Sequence, residues 1–168
     1  QIAVRASITG HLVLSTIHTN NSLSTIERLL DMDVERYLLA SALEGIISQK
    51  LARKLCDKCK RLRPTNNYEK NLFRAVLKLE VNQVYEPVGC PECSFGFKGR
   101  VALHEVLLIN QDIRDAISNV VSKEELRNLV YSKDVITMIQ DGFYKILAGF
   151  TTITEVLKLI DLDDEIDA

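Results

Sequence analysis

All four cysteines of this 168-residue chain fall into two Cys-x-x-Cys pairs, Cys56-Asp-Lys-Cys59 and Cys90-Pro-Glu-Cys93, thirty residues apart. A Cys-x-x-Cys turn presents two sulfurs on one side of a tight loop. Two such turns facing each other make an S4 cage that suits zinc, one Zn2+ per chain, with no ligand position left for water. The site therefore reads as structural. Buried free thiols and disulfides are the alternatives. Disulfides need an oxidising compartment, and no secretory leader is visible at the start of the sequence. Redox use of the pairs is the runner-up, weakened because neither pair opens a helix after a strand. A cage requires the arm between Cys59 and Cys90 to leave and return to one point. Pro64, Asn66 and Asn67 break that arm, and a helix is predicted from about Tyr68 to Leu79.

Composition leaves a globular chain. It is 46% hydrophobic and 26% charged with 7 Gly and 3 Pro, which excludes low-complexity and collagen-like polymers. No run of eighteen uninterrupted apolar residues is present. The net charge of −2 gives no reason to expect a nucleic-acid partner. Base is concentrated from Lys50 to Arg63, and acid in the last eight residues at Asp161, Asp163, Asp164, Glu165 and Asp167, read as a frayed tail. Gln1, in place of Met, leads us to expect preceding residues.

Before the cysteines, residues 1–7 read as the end of a helix stopped at Gly10. His11 to His18 is an almost continuously apolar run, the mark of a strand buried on both faces. Ser24-Thr-Ile-Glu27 fits a capping box for a short helix, and Asp33 can cap a longer one in which Leu39, Leu43, Ile46, Ile47 and Leu51 recur at helical spacing to about Leu55. After the cysteines, Val101 to Ile109 reads as a strand. Helices follow at Gln111–Ser118, Lys123–Tyr131, Asp134–Ala148 and Ile153–Ile160, with capping boxes at Ser122-Lys-Glu-Glu125 and Thr152-Ile-Thr-Glu155. Met32 and Met138 read as packing residues, His104 as an exposed strand residue and Glu155 as a helix cap.

His11 and His18 bracket the apolar run about 23 Å apart if it is extended. Both cannot reach one small ligand. Ligands of open α/β sheets gather at the carboxyl ends of strands, which favours His18, with Thr19 and Asn20, over His11. An ordinary strand-end histidine satisfied by backbone or water is the competing reading of each.

Thr9-Gly-His-Leu-Val-Leu-Ser-Thr-Ile-His18-Thr-Asn20 resembles the histidine box of the secretion ATPases that drive type II secretion and type IV pilus assembly (the GspE/PilB family). Arg28-Leu-Leu-Asp-Met32 and Gly45-Ile-Ile-Ser-Gln-Lys-Leu-Ala-Arg-Lys-Leu-Cys56 are similar to the segments that follow it. The two cysteine pairs resemble the family's zinc-binding tetracysteine motif, and Phe97-Lys-Gly-Arg-Val-Ala-Leu-His-Glu-Val106 the segment after it. Asp141-Gly142 and Gly149-Phe-Thr-Thr-Ile-Thr-Glu-Val156 are similar to its C-terminal helices.

The resemblance implies an α/β fold: the C-terminal portion of a RecA-like P-loop NTPase domain, with a tetracysteine zinc arm and a mostly helical C-terminal subdomain. The boundaries expected are 1–55 for the RecA-like slice, 56–93 for the arm, 94–160 for the helical subdomain and 161–168 for the acidic tail. It further implies a homo-hexameric ATPase on the cytoplasmic face of the bacterial inner membrane, working with inner-membrane platform proteins. In such enzymes the strand-end histidine lies near the γ-phosphate. That role carries to His18 and secondarily to His11, and nucleotide contact to Arg100 and Thr19.

Two departures stand out. Gln49-Lys50-Leu51 replaces the Gln-Arg-Leu of many relatives, trading a guanidinium fork for a point charge. No GxxxxGK[ST] phosphate loop and no acidic Mg2+-holding segment occur. ATP and Mg2+ are thus expected only in the full-length protein, together with its N-terminal remainder, and the isolated chain is expected to be inactive. A different class of function, a zinc module docking protein or nucleic acid through Lys50 to Arg63, stays open. Against nucleic acid, no aromatic residue is interleaved with the basic run.

Overall fold

The computed structural model describes residues 2–32, 34–131 and 135–160. In chain order its elements are α1 (Ile2–Ile8), α2 (Ser22–Asp31), α3 (Arg36–Ala42), β1 (Gly45–Leu55), β2 (Arg61–Pro64), α4 (Asn67–Leu77), β3 (Gln83–Glu86), β4 (Phe97–Leu108), α5 (Gln111–Ser118), α6 (Lys123–Val130), α7 (Met138–Leu147) and α8 (Ile153–Leu157). β1 pairs with β4 and β2 with β3, each pair a separate sheet. Among the described residues no helix is long and apolar enough to cross a membrane. The fold divides into two compact units, each with its own core.

The first unit takes the described residues up to 48 and those of 105–136. Its core gathers Ile26, Leu39, Leu107, Ile113, Ile117 and Val130. Short polar side chains start its helices by accepting otherwise orphaned N–H groups. Asn110 accepts from Ile113 N–H and Ser122 from Glu125 N–H, where the sequence placed those two helices. At α2 the cap is Asn21, which accepts from Ser24 N–H at 2.8 Å, so Ser24 is not the cap expected of it. Asp33 lies outside the described residues, and α3 begins after Glu35 with no side-chain cap. Met32 is exposed and not a packing residue.

The helix expected to run to Leu55 stops at Ala42, and the chain continues as β1. Leu43, Ile46, Ile47 and Leu51 satisfy a helical count, yet Ile46, Ser48 and Ala52 are buried while Ile47 stands 71% exposed. The alternation matches that of β4, where Leu103, Glu105 and Leu107 are buried. A partner strand outweighs a local helical pattern. At this end of the pair, Ile109 N–H donates to Glu44 O.

The second unit takes residues 49–104 and the described residues from 137 onward. Ala52, Leu72, Phe73, Leu103, Phe143 and Val156 belong to its core, with the rings of Phe73 and Phe143 edge to face at 5.0 Å. α4 falls where predicted. A complete capping box opens it, with Asn66 accepting from Glu69 N–H and Glu69 from Asn66 N–H. β2 and β3, which the sequence did not announce, pair antiparallel from Arg61↔Glu86 to Pro64↔Gln83. α7 starts at a Thr137–Gln140 capping box; Asp134, expected at its start, lies outside the described residues, as does the tail 161–168. The outer edge of β4 is closed by α7 side chains: His104 N–H donates to Asp141 at 2.7 Å and Lys145 donates to Ala102 O at 2.6 Å. Side chains here meet strand groups that an edge otherwise leaves open.

Glu155 differs from its expected role. Its N–H donates to Thr152 Oγ1, but its carboxylate turns away from the cap and accepts a two-pronged bond from Arg53, at 2.8 and 2.7 Å, plus one from Lys158 at 3.1 Å. The Arg53 guanidinium also stacks on Phe97, 4.1 Å from the ring centroid. Arg53 holds the buried Glu155 carboxyl down to about 2, against the opposing effect of burial. A carboxyl whose folded pKa is depressed stabilises the fold above its unfolded pKa and loses that contribution as pH falls toward the folded value. Replacing Glu155 with Gln should cost on the order of 2–3 kcal/mol at pH 7. The gap between wild type and variant, followed by denaturant unfolding, should close between about pH 4.5 and 2. A gap independent of pH would exclude a charged pair.

Candidate functional site

β1 delivers Cys56 to the turn that carries Cys59, and the loop after β3 delivers Cys90 and Cys93. Each pair is wound by its own backbone: Cys59 N–H and Lys60 N–H donate to Cys56 O, and Cys93 N–H donates to Cys90 O. Cys56 N–H donates to Gly96 O at 2.9 Å, joining the two turns. The sulfurs of Cys56 and Cys90 lie 4.0 Å apart, those of Cys59 and Cys93 3.7 Å, and those of Cys90 and Cys93 3.6 Å. All four lie within 4.8 Å of one another, close enough to hold a metal ion. Four thiolates each at about 2.3 Å from a tetrahedral centre stand about 3.8 Å apart. The donor set and its spacing fit that geometry, and none of the four is in a disulfide.

The surroundings already treat the sulfurs as acceptors. Gly89 N–H donates to Cys59 Sγ at 3.4 Å and Cys90 N–H to Cys93 Sγ at 3.3 Å. Burial pushes the Cys93 thiol up, but the N–H groups of Cys90 and Gly96 and the Cys90 thiol outweigh it and leave it lowered to about 7. At Cys90 the Glu92 N–H lowers, while burial and the three neighbouring thiols raise more strongly, to about 11. Cys59 is raised, chiefly by burial. One thiolate suppresses the next when no cation stands among them.

The basic stretch does not serve the cage as free charge. Lys54 and Lys60 pair with Asp57, Lys58 with Glu92 at 2.6 Å across the two turns, Arg61 with Glu86, and Arg63 with Glu69. Arg53 is held by Glu155, and Lys50 donates to Leu159 O at 2.6 Å, a contact a compact ammonium can make. Six of the seven basic side chains of a run that looks free in sequence are ion-paired in three dimensions. Gly96 packs against Pro87, at the base of the loop that carries Cys90 and Cys93. Its φ is +86°, and a Cβ there would fall 2.4 Å from Pro87 Cβ. Gly96→Ala should therefore lower stability by about 2–4 kcal/mol and loosen metal retention. Gly99→Ala, at φ +79° in open space, should cost only about 1–2 kcal/mol. Thermal melting with metal analysis of the two variants checks this, and equal losses would contradict it.

The histidine segment is not the buried strand expected. Residues 11–19 belong to no helix or strand, and Leu12 and Leu14 are 88% and 87% exposed. A strand buried on both faces needs neighbours to cover it and complete its hydrogen bonds, and among the described residues none does. His11 is exposed, its Nδ1 3.2 Å from Thr9 Oγ1. His18 is exposed at the other end, just before α2, with no hydrogen bond among the described residues. Thr19 Oγ1 lies 2.6 Å from Thr25 Oγ1. Arg100 is exposed on β4 and carries no ion pair among the described residues. The four cysteines are thus brought together, whereas the histidines, Thr19 and Arg100 share no cluster with them. Sequence reasoning passed over Glu105, which is wholly buried on β4 and accepts from Ser22 N–H. Its signal was the alternation Leu103, Glu105, Leu107, which sets a charge on an apolar face.

Residues 1–158 match the family described as Type II/IV secretion system protein. Type II secretion system protein E of Pectobacterium carotovorum subsp. carotovorum is 42% identical over 95% of this chain and 31% of its own length. Type IV pilus assembly ATPase PilB of Thermus thermophilus is 38% identical over 94% of this chain and 18% of its own. Among solved structures, the pilus retraction motor PilT with bound ADP superposes with a TM-score of 0.61 at 25% identity, covering 99% of this chain and 37% of that one. The chain spans about a third or less of the length of these relatives. Its mixed α/β fold is that of part of a RecA-like secretion ATPase.

Proposed function

The chain belongs to the type II/IV secretion system protein family, and on that premise we propose that it forms the C-terminal part of a hexameric ATPase at the cytoplasmic face of the inner membrane. ATP hydrolysis there is coupled, through inner-membrane platform proteins, to type II secretion or type IV pilus assembly. The observation that carries this reading is the histidine segment. Its apolar residues are composed for the inside of a sheet yet stand exposed. The remaining two thirds of the relatives' length can supply the flanking strands.

In this reading His18 sits near the γ-phosphate with Thr19 beside it, His11 plays a secondary part at the far end of the segment, and Arg100 offers its charge to nucleotide. Phosphoryl transfer depends on positioning and on charge around the phosphates. The phosphate loop and the Mg2+-holding acid are not among these 168 residues. We assign ATP and Mg2+ binding to the full-length protein.

The cysteine cage takes one Zn2+ through Cys56, Cys59, Cys90 and Cys93. Bound there, zinc offsets four thiolate charges and fixes both turns at one point, with no open coordination position for catalysis. The tetracysteine motif favours the assembly and secretion branch. Docking of nucleic acid to Lys50–Arg63 is not favoured, since that stretch is engaged by Asp57, Glu69, Glu86, Glu92 and Glu155.

The full-length protein should hydrolyse ATP, and His18→Ala should lower its kcat by roughly a hundredfold or more. The isolated chain should show no turnover above background. Turnover by the isolated chain that disappears with His18→Ala would overturn the assignment. Chelation should cooperatively unfold the cysteine arm while the first unit's helices persist. A melt insensitive to chelation would exclude a structural metal.

A further inference from the structure

Glu105 is 0% exposed. One carboxylate oxygen accepts from Ser22 N–H at 2.8 Å; the other is buried and, among the described residues, has no hydrogen-bond partner, as is true of Ser22 Oγ. A carboxylate is a costly way to fill a core position next to Leu107, because unpaired buried polar atoms lose their hydration. What it contributes is the bond to Ser22. Ser22 is the first residue of α2, where the backbone N–H has no partner within the helix and the helix dipole favours negative charge. That N–H lies four residues after His18.

The stretch from Thr19 to Ser22 is held at three points. Thr19 Oγ1 meets Thr25 Oγ1, Asn21 accepts from Ser24 N–H, and Ser22 N–H donates to Glu105. The first two join the stretch to its own helix and travel with it. Glu105 alone of the three lies far along the chain, eighty-three residues on, in β4. Leu23 and Ile26 pack α2 into the core that also holds Leu107, and the Glu105 bond adds a polar tie that fixes the start of the helix against β4.

We propose that Glu105 is a positioning residue for ATP hydrolysis: through Ser22 N–H it fixes the start of α2 against β4 and so sets where His18 stands. It touches neither nucleotide nor metal, and the inference rests on the phosphate-facing role of His18 proposed above. The backbone at Ser22 tolerates a probe. Proline is accepted at the first position of a helix and removes the N–H donor, though at the buried Ser22 it also exchanges the hydroxyl for ring carbons. Asn21 before it is already extended, at φ −151° and ψ 178°, as a pre-proline residue must be.

The test is steady-state ATPase kinetics of the full-length protein in a double-mutant cycle. Glu105→Ala and Ser22→Pro should each lower kcat roughly tenfold to a hundredfold, the scale of one lost charge-assisted bond, with KM for ATP changed less than about threefold. Glu105→Gln, which still offers a carbonyl oxygen to Ser22, should recover most of the loss. Combined with His18→Ala, neither change should slow the enzyme further, because each acts through that side chain. Losses that multiply with His18→Ala, or an unchanged kcat in Ser22→Pro, would overturn the positioning role while leaving the function of His18 intact. An unchanged kcat in His18→Ala itself would overturn both. Should Glu105→Ala fail to fold, Ser22→Pro carries the cycle, with Glu105→Gln expected to keep a kcat near that of the unaltered protein.

Discussion

Four sulfur atoms within 4.8 Å of one another are the constraint on which the second unit depends. Held close and free of disulfide bonds, four thiolates would repel one another, and their spacing is one that a cation can occupy. Given such an ion, the arm between the pairs becomes a closed loop, and its internal order follows. β2 and β3 leave and return side by side, and α4 fills the distal end with its own capping box. Asp57, Glu86 and Glu92 neutralise the lysines and arginines that would otherwise crowd the two turns. Gly96 leaves room for Pro87 at the base of the second turn. The cage therefore organises backbone path, charge and packing at once, which suits a clamp better than a reactive centre.

The first unit rests on a different economy. Its helices are short; α2, α5 and α6 each begin at a polar side chain, and α3 at none. Short helices gain little from propensity and depend on the apolar faces they bury. The histidine segment departs from that scheme, presenting Leu12 and Leu14 to solvent. On the reading proposed here, that surface is an inner strand awaiting the rest of its sheet. Glu105 holds the end of this segment through Ser22.

The legible parts of the sequence were those fixed by local chemistry. Ser122 and Thr152 each cap a helix by bonding three residues ahead, as their spacing announces. The cysteine cage was legible for the same reason, since two short turns carry it. What failed depended on distant partners. Residues 43–55 satisfy a helical count and become a strand because β4 offers a matching alternation fifty residues on. Arg61–Pro64 and Gln83–Glu86 are too short and too charged to announce a hairpin. The basic run misled because its acidic partners come from four other places in the chain. Glu155 was read as a cap because Arg53, 102 residues away, could not be seen taking its carboxylate.

The most direct measurement is zinc-edge X-ray absorption of the reduced, purified protein. This account predicts a single shell of four sulfurs at about 2.3 Å. A first shell containing nitrogen or oxygen, or protein that binds no zinc while keeping its fold, would contradict it.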